Sequence, residues 1–141
     1  MIKRLNNERG AALLETAITI PLVLLVTVSI FEFGRAYQTW QVLTNAAREG
    51  ARTAVIAGNT DTQVTDNVRA YMQGGQLPAY ASASISINRN VPFGSVTAST
   101  VSVTYPFQFT VLNPVIRLVQ QGSTTGQGTT SMSASATMRN E

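Results

Sequence analysis

The chain of 141 residues contains no cysteine and no histidine. Their absence excludes disulfide frameworks, thiol nucleophiles, Cys/His zinc sites and the commonest general base. Acids are scarce as well: Asp and Glu together number seven, and no two form a recognisable acid/base pair. No catalytic motif is left, so the sequence predicts a protein that is not an enzyme and needs neither cofactor nor metal. The length allows one domain at most. A formal net charge of +3 does not amount to a nucleic-acid surface, because Lys3, Arg4 and Arg9 crowd the N-terminus against Glu8 alone and the chain after residue 10 carries only +1. That basic flank reads as an orientation signal, with Lys and Arg held cytoplasmic and the C-terminal part translocated.

What is present begins with "ERGAALLETAITIPLVLLVTVSIFEF", residues 8–33. The uncharged stretch Thr16–Phe31 rises about 24 Å as a helix, short of roughly 30 Å of hydrocarbon; adding Ala11–Leu14 gives about 31 Å but draws Glu15 inside. A carboxylate in hydrocarbon costs roughly 2.5–3.5 kcal/mol, which marks Glu15 as a functional candidate unless it snorkels to the headgroups. Pro21 lies within the membrane half and is expected to kink it, since it removes a backbone donor and crowds the carbonyl four residues earlier. Glu32 and Arg35, three apart, read as a pair at the outer membrane boundary.

Beyond residue 33 the pattern turns amphipathic. Ala36, Trp40, Leu43, Ala47, Ala51 and Ala54 follow helical spacing, with Gln38, Gln41, Asn45, Arg48 and Arg52 opposite. One helix from Ala11 to about Ala57 is expected, capped by Gly58-Asn59. Trp40 suits either a core position under the following domain or an interfacial anchor. Ala46, Gly50, Ala54 and Gly58 form a ridge of small residues that admits close approach, by this chain's own domain or by another chain. Glu49 and Arg52 suit a pair on a solvated face.

Thr60-Asp61 opens a second, short helix with Val64, Val68, Tyr71 and Met72 on its apolar face, and Gly74-Gly75 stops it. The period then changes to two. Ala83, Ile85 and Ile87 alternate with polar residues, as do Val101, Val103, Tyr105, Phe107 and Phe109, and again Met132, Ala134, Ala136 and Met138. Three such strands predict a small antiparallel sheet whose apolar face is covered by the outer half of the long helix. Asn113-Pro114 predicts a short helix to Val119 before a Gly/Thr loop; its apolar residues point to core packing or to a membrane or subunit contact. The fold class is therefore α+β. Four segments are expected: 1–10 a cytoplasmic flank, 11–33 a transmembrane segment, 34–58 the amphipathic continuation of the helix, and 59–141 a periplasmic α+β domain.

A basic flank ending in glycine, an apolar helix with Glu at the fifth position after it, and a translocated small sheet domain together resemble a type IV prepilin. Residues 9–52, including "EFGRA" and "NAAREGAR", resemble the TadE-like family of pseudopilins from tight-adherence (Flp) pilus systems. The resemblance implies a pilin-like fold and a minor pilin that takes part in initiating, priming or capping a pilus. It implies that a prepilin peptidase cuts between Gly10 and Ala11, making residues 1–10 a leader, and that Glu15 serves processing or assembly by pairing with the freed amino group of Ala11 in a neighbouring subunit. Thr16 departs from the aromatic residue the family often has after the acid. The implied partners are the bacterial inner membrane, the peptidase, other pilins or pseudopilins and the assembly platform, with no nucleic acid. A single-pass anchored periplasmic module that is never processed is the alternative.

Overall fold

Forty-seven consecutive residues form the first helix, α1 (Glu8–Ala54). After it come α2 (Asp61–Gly74), a single 3-10 turn (Tyr80–Ser82), and strands β1 (Ser84–Phe93), β2 (Val96–Phe107) and β3 (Thr130–Arg139). The structure, a computed structural model, describes residues 8–114 and 129–140. Most of the basic flank, most of the helix expected after Asn113-Pro114, and the Gly/Thr loop lie outside the described residues. The architecture is the expected α+β one: long helix, short helix and three-stranded antiparallel sheet in the order β1-β2-β3.

α2 starts where its capping chemistry dictates. The Thr60 side chain accepts from the Gln63 N–H, and the Thr60 N–H donates to Gln63 Oε1 at 2.8 Å, so two otherwise orphaned donors are satisfied reciprocally. α1 ends at Ala54, three residues short of the expected Ala57. Gly58, with φ +90°, shapes the turn that follows rather than the helix terminus itself.

α1 crosses β2 and β3, while α2 packs along another flank of α1. The core joins Leu43, Ala47, Ala51 and Ala54 of α1 to Val64, Val68 and Met72 of α2 and to Val101, Val103, Tyr105 and Phe107 of β2. Two residues assigned to apolar faces are corrected. Trp40 is 45% exposed and Tyr71 is 41% exposed. The buried arc of α1 is centred on Thr39, Leu43, Ala46, Ala47 and Gly50, where small side chains let α2 and β2 close on the backbone; an indole belongs on the flank of such a seam.

In-register pairing places Ile85 opposite Val103 and Val103 opposite Ala134, and Ile87 opposite Val101 and Val101 opposite Ala136. The solvent face is a hydroxyl ladder, with Thr100 bonded to Thr137 at 2.8 Å and Ser102 to Ser135 at 3.0 Å. Phe109 lies past the end of β2 rather than within it. Between Asn88 and Val91 the register of β1 slips, so that Arg89 and Asn90 together oppose Ser99. This bulge carries Arg89 to the C-terminal end of α1. Its guanidinium donates to the Ala54 carbonyl at 2.7 Å, to the Asn59 carbonyl at 3.0 Å and to Asp61 Oδ1 at 2.7 Å. A cation at this end of a helix satisfies last-turn carbonyls and complements the dipole. Arg89→Ala is expected to lower stability by about 1–3 kcal/mol, and Arg89→Lys to recover little, because one ammonium cannot span three acceptors held by a planar fork. Thermal unfolding of the detergent-solubilised protein measures both.

Candidate functional site

The candidate site is α1 itself, which changes character along its length. In its N-terminal half Leu13, Leu14, Ile18, Ile20, Leu22, Val23, Leu24, Val26 and Ile30 are all exposed. Their helix is long and apolar enough to cross a membrane, and none of its most apolar window is buried within the protein. The hydroxyls in this half are satisfied locally: those of Thr16, Thr19, Thr27 and Ser29 each donate at 2.8 Å to the carbonyl four residues earlier. That arrangement suits a medium without water, where an unpaired donor is costly.

Gly10 and Ala11 lie in the second and third positions after the start of α1 at Glu8. The bond between them lies within the helix. Glu15 is exposed one turn after Ala11, on the same helix face. Its backbone carbonyl accepts from Thr19 Oγ1. Pro21 is contained in the helix, which continues through it.

The ridge of small residues divides. Ala46 and Ala54 are buried, and a Cβ placed on Gly50 would lie 2.5 Å from Val68 Cγ2 and 3.0 Å from Val101 Cγ1. These three positions seat the chain's own α2 and β2. Gly58 stands apart from them, with open space where a side chain would be.

Where the apolar half meets the domain, Glu32 and Arg35 form a clasp that the sequence does not announce. Glu32 is only 6% exposed. Its Oε2 accepts from the Thr110 N–H at 2.7 Å, and Arg35 Nη2 stands 3.4 Å from both carboxylate oxygens. The same Nη2 donates to the Gln108 carbonyl, and the guanidinium carbon lies 4.6 Å above the Phe107 ring centroid. The chain leaving β2 is thereby fastened to α1, and Phe109 packs edge-on against both Phe33 and Phe107. Read from the sequence, the pair marked only a membrane boundary; its partners lie 73 to 78 positions away. Glu32→Ala, which strands the Thr110 N–H and the Arg35 charge, is expected to cost about 1–3 kcal/mol. Faster amide hydrogen exchange at Thr110 and its neighbours, with exchange at Val101 and Val103 unchanged, would report the loss locally.

Farther out, Arg52 and Glu49 pair at 2.6 Å on the helix surface, and Asn67 Nδ2 also donates to Glu49. The hydrogen bond from Arg52 holds the Glu49 carboxyl below its usual range; burial opposes it, and the Asn67 hydrogen bond and the Arg52 charge add to the lowering. Glu49 is thus part of the α1–α2 contact as well as of the solvated face.

A family model spans the stretch that joins these parts. Residues 10–52 match the family described as TadE-like protein. The TadE-like segment starts beside the Gly10–Ala11 bond, contains the whole apolar half and the clasp residues on α1, and stops inside the buried seam. No curated protein and no solved structure matches the chain. α2 and the sheet therefore stand outside the TadE-like match, although they are what covers its outer half.

Proposed function

We propose that the chain is a minor pilin or pseudopilin that takes part in assembling a tight-adherence pilus, initiating, priming or capping it after a prepilin peptidase removes residues 1–10. The observation that carries this reading is the division of the TadE-like helix. Its outer half is covered along one side by the chain's own domain, whereas its first half presents apolar surface all round, which serves equally as an anchor in lipid and as the packing surface of a helical fibre core. In this reading the protein sits in the bacterial inner membrane with its basic N-terminus cytoplasmic and its domain periplasmic. Cleavage leaves an ammonium on Ala11 one turn from Glu15, and a carboxylate near a helix N-terminus is favoured by the dipole as well as by that charge. Pairing across subunits then satisfies both groups in an apolar bundle. No catalysis and no cofactor enter this function.

The intact mass and N-terminal residue of protein recovered from membranes test it, with and without a co-expressed prepilin peptidase. A chain beginning at Ala11 only when the peptidase is present is the expected result. A chain beginning at Met1 in both would make the protein a permanently anchored periplasmic module.

A further inference from the structure

The buried clasp changes where the bilayer can sit along α1. An acid exposed to lipid would fix the outer boundary at Phe31, but Glu32 is turned beneath the domain and its carboxylate is occupied by the Thr110 N–H and Arg35. On the flank that the domain leaves open, exposed apolar surface runs on past it: Phe33 is followed by Tyr37 and Trp40. The last two rings lie 6.1 Å apart, and the Tyr37 hydroxyl accepts from Gln41 Nε2 at 2.7 Å, so this stretch has an apolar body with polar tips. Phe109 stands against Phe33, and Val111 is exposed beside it in sequence, extending the patch onto the domain.

Two registers are open to the helix. With Ala11–Phe31 in the hydrocarbon, Glu15 lies inside the apolar layer and Trp40 stands about 13.5 Å beyond it, in water. With Thr16–Arg35 in the hydrocarbon, the span is about 30 Å, Glu15 moves to the cytoplasmic boundary, and Trp40 lies about 7.5 Å beyond the outer boundary. The headgroup layer is about 5–7.5 Å deep on each face, the level at which Trp and Tyr concentrate. We propose that Thr16–Arg35 is the hydrocarbon-spanning segment, with Phe33 and Phe109 at its outer edge, and that Tyr37 and Trp40, with Val111, rest in the phospholipid headgroup layer of the outer leaflet. The surface is continuous with the lipid-facing side of α1, and no charged side chain interrupts it on that flank between Phe33 and Trp40. The same register carries the Gly10–Ala11 bond about 7.5 Å clear of the hydrocarbon on the other side, within reach of a water-dependent protease. The inference rests on the reading of α1 as a membrane span.

Trp40 is the only tryptophan, so its fluorescence reports this level directly. The full chain is reconstituted into phosphatidylcholine–phosphatidylglycerol vesicles, and flotation establishes insertion independently of the fluorescence. The expected result is a blue-shifted Trp40 emission, with greater loss of intensity to a spin label on the lipid headgroup than to bromine deep on the acyl chains or to aqueous iodide. The variant Trp40→Phe/Leu25→Trp supplies the mid-span reference and should lose most intensity to the deep bromine. A floated protein whose Trp40 emits as in water and is quenched by iodide would overturn the register while leaving the span intact; a protein that does not float would overturn both. Shielding from iodide that brings no quenching by lipid labels, and grows with the protein-to-lipid ratio, would assign the stripe to a second copy of this chain and overturn the lipid contact.

Discussion

Gly50→Leu is expected to cost the domain its native packing, while Gly50→Ala falls within about 2 kcal/mol of the parent. Two effects oppose one another at this position. Replacing a mid-helix glycine by alanine favours the helix by up to about 1 kcal/mol. The new methyl group, however, enters space within 2.5 Å of Val68 Cγ2 and 3.0 Å of Val101 Cγ1. Both valines are fully buried and branched at Cβ, so neither can swing aside without finding another rotamer inside a filled core. Overpacking of this kind costs about 1–3 kcal/mol, which equals or exceeds the helical gain for alanine. Leucine adds three more carbons to the same seam and separates α1 from both α2 and β2. Proteolytic susceptibility and hydrogen exchange of the β2 amides read the outcome without interference from the membrane half. Gly74→Ala is the control: nothing lies within 4 Å of its added Cβ, so only a neutral or stabilising effect is expected. Parent-like protection in Gly50→Leu would show that the α1–α2–β2 seam is not close-packed.

The second large effect is all-or-none and functional. Glu15→Ala is expected to enter the membrane at least as well as the parent, because a carboxylate is removed from the edge of an apolar helix. It should nonetheless be absent from sheared pilus fractions, or support no piliation, since the ammonium on Ala11 of a neighbouring subunit would be left in an apolar bundle without its partner. The membrane-extracted pool and the sheared pool are to be compared by immunoblot, with the domain's protease resistance as the check on folding. Normal piliation by the variant would reduce Glu15 to a snorkelling residue at the membrane edge.

Much of the fold was legible because its signals are local. The length of α1 follows from an apolar run that passes into an alanine-rich one with Pro21 accommodated inside the helix, the start of α2 from Thr60 and Gln63, and the sheet from alternation that changes period after Gly75. The side of α1 that faces the domain was harder to read. The alanines of its outer half fall within one arc of about 140°, but Trp40 lies inside that arc too, at a level the domain leaves open. The seam runs through Leu43, Ala47, Ala51 and Ala54 of the expected stripe and through Ala46 and Gly50 of the small-residue ridge; Thr39 is the buried position that neither pattern marked. Tyr71 was misplaced by its ring, when Val64, Val68 and Met72 already completed the buried line.

Long-range polar contacts were the other blind spot. Arg89 did leave a trace: it continues the inward phase of Ile85 and Ile87, and a charge in that phase signals a buried acceptor. Glu32 left none, since its partner is a backbone N–H at Thr110, and a backbone donor has no residue type by which a sequence can announce it.

Because α1 is one helix from Glu8 to Ala54, the compass bearing of the domain is tied to that of Glu15. Glu15 and Trp40 are separated by close to seven full turns of an ideal helix, so they share one meridian, while Glu32 and the chain clasped to it lie about 100° away around the axis. In an assembled fibre, outside the bilayer, a neighbour paired with Glu15 would therefore approach on the side of α1 that carries Tyr37 and Trp40. One residue inserted between Ser29 and Phe31 would rotate the domain by about 100° about that line. It would leave every contact inside the domain intact and turn a different side toward the neighbour.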